Sequence, residues 1–362
     1  MKIVIFAGGT GRRLWPISRK RSPKQFEPII GPKSTVRLAV ERFLGSYSVE
    51  DILISTNEAY LGILRKQLPE IPERNFIGEP VRRDLAAAVG LGMVHVRHYC
   101  SPNEPVAIVW GDNYMTKQSE FLRLLKSAES IVNSEQAEMV YLGETPRYAN
   151  SNLGWIELGP ELGNEQGTSF NAYESWVYRP DLDKCRQMFE SGKFVWNTGY
   201  FVTRPGYILS AYENLQPDMW TRLRRIEEAI DQANYAEILS REYPLMEVAS
   251  FDDAIVQHID ASDAVVIHGN TGWSDPGTLY ALKEAINPDK EANVEMGLVR
   301  SISTSDSLLY NYEEGKLLAA VGLSGMVVVN TDDAILVVHK DDIRLVKELV
   351  NELTDSKLED YS

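Results

Sequence analysis

The chain opens with Lys2-Ile-Val-Ile-Phe-Ala7, a β-branched, apolar run that stops on Gly8-Gly9. Such a run reads as a strand buried on both faces, because a half-exposed strand would alternate apolar and polar residues. Similar runs recur at 51–56, 106–110 and 139–142, and stretches with helical apolar spacing lie between them at 35–44, 61–68, 85–98 and 121–132. Strand alternating with helix over the first 150 or so residues predicts a doubly wound, Rossmann-like α/β fold with a mixed sheet and ligands at the strand C-terminal ends. The middle of the chain adds short strands at 175–178, 200–203 and 264–267 among helices rich in Arg and Glu. From Asn287 the texture changes to short apolar runs at regular spacing, broken by Glu-Gly, Ser-Gly and Asp-Asp turns. That predicts a small C-terminal β unit closed by a helix at 341–353. The expected division is therefore a catalytic domain over 1–286 and a β-rich domain over 287–362.

Composition narrows the possible partners. With Lys+Arg 37 against Asp+Glu 52 the formal charge is −15. A surface of that sign gains nothing from counterion release on nucleic acid or on an anionic membrane, so neither is an expected partner. Any phosphate must be held by a local cationic pocket. The two cysteines, Cys100 and Cys185, make no disulfide framework, and no Cys/His cluster has zinc spacing. The N-terminal apolar run is too short for a secretory signal, and no run approaches the ~20 apolar residues of a membrane span. A cytoplasmic location is the expectation.

The loop Gly8-Gly9-Thr10-Gly11-Arg12-Arg13-Leu14 after the first strand suits an anion, since glycines let backbone N–H groups approach it closely. It does not fit a dinucleotide fingerprint, which would need a small residue where Leu14 stands. Nor does it fit a Walker A loop, which would need Gly-Lys-Ser/Thr where Arg13 stands.

Its surroundings say more. Gly8-Gly-Thr-Gly-Arg-Arg13-Leu-Trp15-Pro16-Ile-Ser18-Arg19, followed by Pro23-Lys24-Gln25-Phe26, resembles the GGxGxRLWPxSR…PKQF signature of mannose-1-phosphate guanylyltransferases. These belong to the sugar-nucleotide pyrophosphorylases. Glu79-Pro80-Val-Arg82-Arg83-Asp84-Leu-Ala-Ala resembles that family's EPxxRNTAPA, with Asp84 in place of Asn. Gly111-Asp112-Asn113 stands where the family has PADH, Trp196-Asn197-Thr-Gly199-Tyr-Phe resembles WNSGxF, and Gly272-Trp-Ser-Asp275-Pro-Gly277 resembles GWSDxGSW. The C-terminal β tail is similar too, so the resemblance runs from residue 3 to about 353.

It implies a nucleotide-diphospho-sugar transferase fold, a GTP- and Mg²⁺-dependent reaction with mannose 1-phosphate, and a homodimer through the C-terminal region. No room for the isomerase domain of longer, bifunctional relatives is expected after residue 353. Arg13 and Lys24 are then the catalytic cations, neutralising phosphate as two anions meet. Gly8, Gly9, Gly11, Arg12, Arg13 and Gly111 are expected at the nucleotide, with Glu79 or Asp84 accepting from guanine N1–H and N2–H. Asp112 and Asp275 form a hard-oxygen pair suited to Mg²⁺. On the sugar side the resemblance points to Gly154, Asn197 and Arg179. The family's FVEKP reads Trp176-Val-Tyr178-Arg179-Pro180 here, so Tyr178 replaces a carboxylate that would accept sugar hydroxyls. Glu174 is the nearby carboxylate that can compensate. That replacement leaves open a different sugar 1-phosphate, such as a heptose, or a catalytically silent sugar-nucleotide sensor.

Overall fold

A computed structural model describes residues 1–9, 11–19, 23–354 and 356–362, apart from the Arg12 side chain. The chain forms two compact units. One holds Met1–Gly8, Val40–Gly111 and Met115–Trp273; the other holds Gly9–Ala39, Asp112–Tyr114 and Ser274–Ser362.

The first unit is built on nine strands: β1 (Lys2–Phe6), β2 (Ile52–Asn57), β3 (Phe76–Glu79), β4 (Val106–Trp110), β5 (Met139–Glu144), β6 (Gly154–Glu165), β7 (Thr168–Tyr178), β8 (Phe194–Thr203) and β9 (Ala264–Gly269). They pair in the order β3-β2-β1-β4-β8-β5-β9-β7-β6, with β6 also bonded to β8. The four strands from β3 to β4 are parallel, while β8 runs against both its neighbours β4 and β5. The chain leaves β1 outward through β2 and β3 and returns to β1's other side as β4. The β1/β4 seam is thus a topological switch point, where an α/β sheet opens a crevice at its strand C-terminal ends.

Helices cover the sheet by ordinary apolar patterning. The helix Gln118–Asn133 buries Phe121, Leu124, Leu125, Ala128, Ile131 and Val132, one stripe at three- and four-residue spacing. The helix Asp84–Tyr99 is instead buried almost all round from Ala86 to Val96, packed between the sheet and the helices Pro205–Leu215 and Pro217–Ala229. Its Ala- and Gly-rich sequence allows that close approach.

The second unit carries a coil of short strands: β10 (Val294–Met296), β11 (Val299–Ile302), β12 (Leu308–Asn311), β13 (Leu318–Val321), β14 (Met326–Asn330) and β15 (Ile335–His339). β10, β12 and β14 stack in parallel, β11 and β13 form a second parallel pair, and β15 closes the larger sheet antiparallel. Asn311 and Asn330 stand one above the other in this stack, and Asn330 Nδ2 donates to Asn311 Oδ1 at 2.7 Å.

The compact units do not follow the single cut at residue 287. The physical reason lies in the coil's core, where Val294, Leu308, Tyr310, Val327, Val329 and Leu336 bury against Leu14, Trp15, Ile17 and Ile29 of the glycine-loop segment. The Tyr310 hydroxyl donates to the Pro28 carbonyl, and Trp15 Nε1 to the Tyr361 carbonyl. Sequence texture changes at 287, but apolar burial joins the tail to residues 9–39. Within the first unit, β3 and β6 were not expected, and β7 extends the expected strand at 175–178 back to Thr168. The closing helix begins as a tighter turn at Lys340–Leu345 before Val346–Thr354.

Candidate active site

Four charged groups gather within the second unit. Lys24 starts the short turn Lys24–Phe26 and is almost completely buried. Its Nζ donates to Asp112 Oδ2 at 2.7 Å and lies 3.7 Å from Asp275 Oδ1. Burial alone would depress this ammonium's pKa. The Asp112 and Asp275 carboxylates outweigh that effect and raise it, so Lys24 is a fixed cation. Arg13 is exposed, with its guanidinium alongside Gly277: a Cβ on that glycine would lie 3.5 Å from Arg13 Nη2.

Local backbone explains how this group is held. Gly11 has φ +60, and a Cβ there would stand 2.5 Å from Ser18 Oγ and 2.9 Å from Lys24 Cβ. Both the left-handed turn and the close approach of the Lys24 stem require glycine. Gln25, fully buried, donates from Nε2 to the Gly9 carbonyl at 2.9 Å, which ties the PKQF segment to the glycine loop. Asp112 follows β4 directly. Asp275 lies in the loop after β9, where Ser274 pairs with Tyr114 across an antiparallel bridge.

The two carboxylates, both within reach of Lys24, form a hard-oxygen donor pair whose chemistry fits Mg²⁺. Among the described residues no group of three or more His, Cys, Asp or Glu is placed to hold a metal ion.

The first unit supplies the other candidates. Gly8 and Gly111 lie at the ends of β1 and β4, and the Gly111 N–H donates to the Phe6 carbonyl. Glu79 ends β3 and is buried; its Oε2 accepts from the Tyr243 hydroxyl at 2.8 Å. Burial pushes the Glu79 carboxyl up, against the pull of the Tyr243 hydrogen bond and the Arg82 charge. Asp84 is exposed, has φ +62, and opens the helix Asp84–Tyr99 with Oδ1 accepting from the Leu85 N–H. Asn and Asp are the non-glycine residues that best tolerate this conformation, which accounts for one replacing the other.

Among the residues expected near the sugar, Gly154 faces Tyr178 in the β6–β7 ladder. A Cβ on Gly154 would lie 2.9 Å from Trp176 Nε1 and 3.7 Å from Asn197 Nδ2. Asn197 Oδ1 accepts from the Gly199 N–H, so its amide is oriented by the turn that follows. The Arg179 guanidinium stacks over the Tyr178 ring at 5.0 Å. These residues form one corner. Glu174 does not join them: the pairing slips around it, between Ser175↔Glu157 and Tyr173↔Leu158, and its Oε2 lies beside Gly159. That is roughly 13 Å along the strand from Tyr178, so the compensating carboxylate is not where Tyr178 would need it. The Arg12 side chain falls outside the described residues.

The structure adds residues that the sequence did not single out. Glu144 at the end of β5 is completely buried. It accepts from Thr271 N at 2.9 Å, Thr271 Oγ1 at 2.6 Å, Gly272 N at 3.1 Å and Arg147 Nη1 at 2.7 Å. Arg147 Nη2 donates on to the Trp273 carbonyl at 2.9 Å, so the pair fixes the loop Thr271–Trp273. The only sequence signal was an acidic residue ending an apolar strand. Tyr243 gave no signal at all.

Known proteins bear on this site. A model of the nucleotidyl transferase family matches residues 2–292, and one described as a mannose-P isomerase/GMP-like beta-helix domain matches residues 298–353. The mannose-1-phosphate guanylyltransferase RfbM of Salmonella typhimurium is 32% identical over 365 residues, spanning 99% of this chain and 73% of that protein. Mannose-1-phosphate guanylyltransferase 2 of Escherichia coli O157:H7 is 30% identical, spanning 99% of this chain and 74% of its own length. A crystal structure described as a mannose-1-phosphate geranyltransferase from Thermus thermophilus superposes with a TM-score of 0.84 at 26% identity, over 97% of this chain and 98% of that one.

Proposed function

The chain belongs to the mannose-1-phosphate guanylyltransferases of the nucleotidyl transferase family, and we propose that it transfers GMP from GTP to mannose 1-phosphate, giving GDP-mannose and pyrophosphate. The observation that carries this reading is the buried Lys24 ammonium held by Asp112 and Asp275 beside the Arg13 guanidinium, all within a glycine-loop unit.

A sugar-phosphate oxygen attacks the α-phosphorus, and the bond to the β-phosphate oxygen breaks. Both reactants are anions, so the protein's task is to neutralise charge and hold an in-line geometry. Lys24 supplies a fixed positive charge at the α-phosphate, and Arg13 forks across the triphosphate as the pyrophosphate leaves. Gly8, Gly9 and Gly11 keep side chains out of the way of the phosphates. Asp112 and Asp275 are the residues that would hold Mg²⁺, which supplies further positive charge to the phosphate oxygens when bound. Glu79 accepts the N1–H and N2–H pair of guanine. It is the better base reader of the two acids, because its Oε1 lies beside Gly8, 3.5 Å from where a Cβ on that glycine would stand. Arg179 meets the sugar phosphate, and the Asn197 amide donates to sugar hydroxyls beside Gly154.

No helix among the described residues is long and apolar enough to cross a membrane, and the reaction uses intracellular nucleotides, which supports a cytoplasmic location. The outward Ile335 and Val337 of the edge strand β15 are 65% and 60% exposed, which supports a homodimer formed through the coil.

Pyrophosphate release by the purified protein tests the reading, with Mg²⁺, GTP and mannose 1-phosphate run beside ATP, UTP, CTP, dTTP, glucose 1-phosphate and a heptose 1-phosphate. Turnover with GTP and mannose 1-phosphate is the expected result. Turnover confined to another sugar would remove mannose, and silence with every pair would remove catalysis.

A further inference from the structure

Glu79 is held from a direction that the strand-end loops do not supply. Tyr243 comes from the turn Tyr243–Leu245, which follows the helix Tyr235–Glu242, and it is completely buried. Its hydroxyl donates to Glu79 Oε2 at 2.8 Å. A phenylalanine would fill the same volume without burying a hydroxyl. A phenol placed here is therefore accounted for by its bond to the carboxylate. The other oxygen, Oε1, lies beside the glycine loop: a Cβ on Gly8 would stand 3.5 Å from it. One end of the carboxylate is thus anchored, and the other is presented at the head of the nucleotide loop.

Reading guanine needs such an anchor. The base differs from adenine in presenting two parallel donors, N1–H and N2–H, and a carboxylate matches both only when its plane is fixed. A free glutamate side chain turns about three torsions and must be ordered at each binding event. Each carboxylate oxygen has two acceptor positions, so Oε2 can accept from Tyr243 and from the base together.

We propose that Tyr243 is a specificity-determining positioning residue that acts through Glu79, fixing the plane of that carboxylate for the two-donor edge of the base. The inference rests on the reading of GTP as donor and Glu79 as base reader.

The experiment compares wild type and Tyr243→Phe in steady-state turnover with saturating mannose 1-phosphate and Mg²⁺, using GTP, ITP and ATP as donors. ITP keeps N1–H and lacks the 2-amino group, so the GTP-to-ITP ratio of kcat/KM reads the second donor alone. Wild type should prefer GTP over ITP by about tenfold or more, the worth of one hydrogen bond to a charged group. In Tyr243→Phe the kcat/KM for GTP should fall about tenfold, chiefly through KM, and the GTP-to-ITP ratio should narrow toward one. A merely structural role would lower all three donors alike. An equal loss for all donors, or an unchanged ratio, overturns the proposal.

If Tyr243→Phe does not fold, Tyr243→Met decides, since it too lacks the hydroxyl while keeping an apolar side chain at the buried position. The same narrowing supports the proposal and a wild-type ratio overturns it. A wild type that uses GTP without preferring it to ITP removes Glu79 as the reader and the inference with it. A wild type that does not use GTP removes the functional reading itself.

Discussion

Lys24 is where residue chemistry and stability pull in opposite directions. A buried ammonium is destabilising unless it is paired, and here Asp112 and Asp275 keep it charged. Lys24→Ala should lower kcat by about 10²-fold or more while GTP binding persists, because the lost charge matters most as the α-phosphate develops its own. Activity within threefold of wild type would remove Lys24 from the chemistry; Arg13→Ala carries the same expectation. Asp112→Asn should abolish stimulation by Mg²⁺ in a metal titration, whereas unchanged magnesium dependence would show that this carboxylate serves Lys24 alone. The sequence showed these four residues through motif spacing, but not that three of them share a few ångströms. Glu144 and Tyr243 were illegible for a related reason: Glu144's partner Thr271 and Tyr243's partner Glu79 stand 127 and 164 positions away. No local pattern encodes such a pair.

Elements with strong periodicity were read well, as the stripe on Gln118–Asn133 shows, and weakly patterned ones were not. β3 has only four residues, and β6 carries Gly159, Gly163 and several glutamates, which have poor strand propensity without their hairpin partner. The glycine-loop turn offers a direct test. Gly11→Ala forces a Cβ into Ser18 and a left-handed conformation on alanine, so it should cost about 1–3 kcal/mol and shift the thermal midpoint as well as turnover.

A second element-scale test concerns the helix Leu279–Ile286, whose fully buried Lys283 donates to Asp306 Oδ1 at 2.7 Å. Lys340 and Tyr280 donate to the same carboxylate. Burial opposes ionisation of Asp306, but these hydrogen bonds outweigh it and hold its pKa down at about 2. A depressed folded-state pKa contributes stability that is fully present above the unfolded value near 4 and disappears as pH falls toward 2. Asp306→Asn, which leaves the buried Lys283 its bond to the Asp289 carbonyl but no countercharge, should therefore destabilise by about 3–5 kcal/mol at neutral pH. Its denaturation midpoint should also vary less than that of wild type between about pH 4 and pH 2. Parallel curves for the two proteins would count against the network.

For the whole molecule, the informative fact is that the second unit gathers residues 9–39 with the C-terminal coil. Every candidate catalytic residue lies before residue 287, yet a fragment 1–286 would leave Leu14, Trp15, Ile17 and Ile29 without their buried partners. Expressed alone, that fragment should be largely insoluble and inactive; a soluble fragment with measurable turnover would show that the glycine loop folds without the coil. Composition could announce that the chain has a β tail, but not that the tail's core begins at Leu14, because apolar contacts carry no marker of sequence distance. The tail has one more consequence, which follows from strand direction. A stack of parallel rungs is open-ended, since each exposed edge is a template for another rung and so for another chain. By running the opposite way, β15 occupies the β14 edge with a strand that breaks the parallel repeat, so a further parallel rung cannot continue the coil from β14.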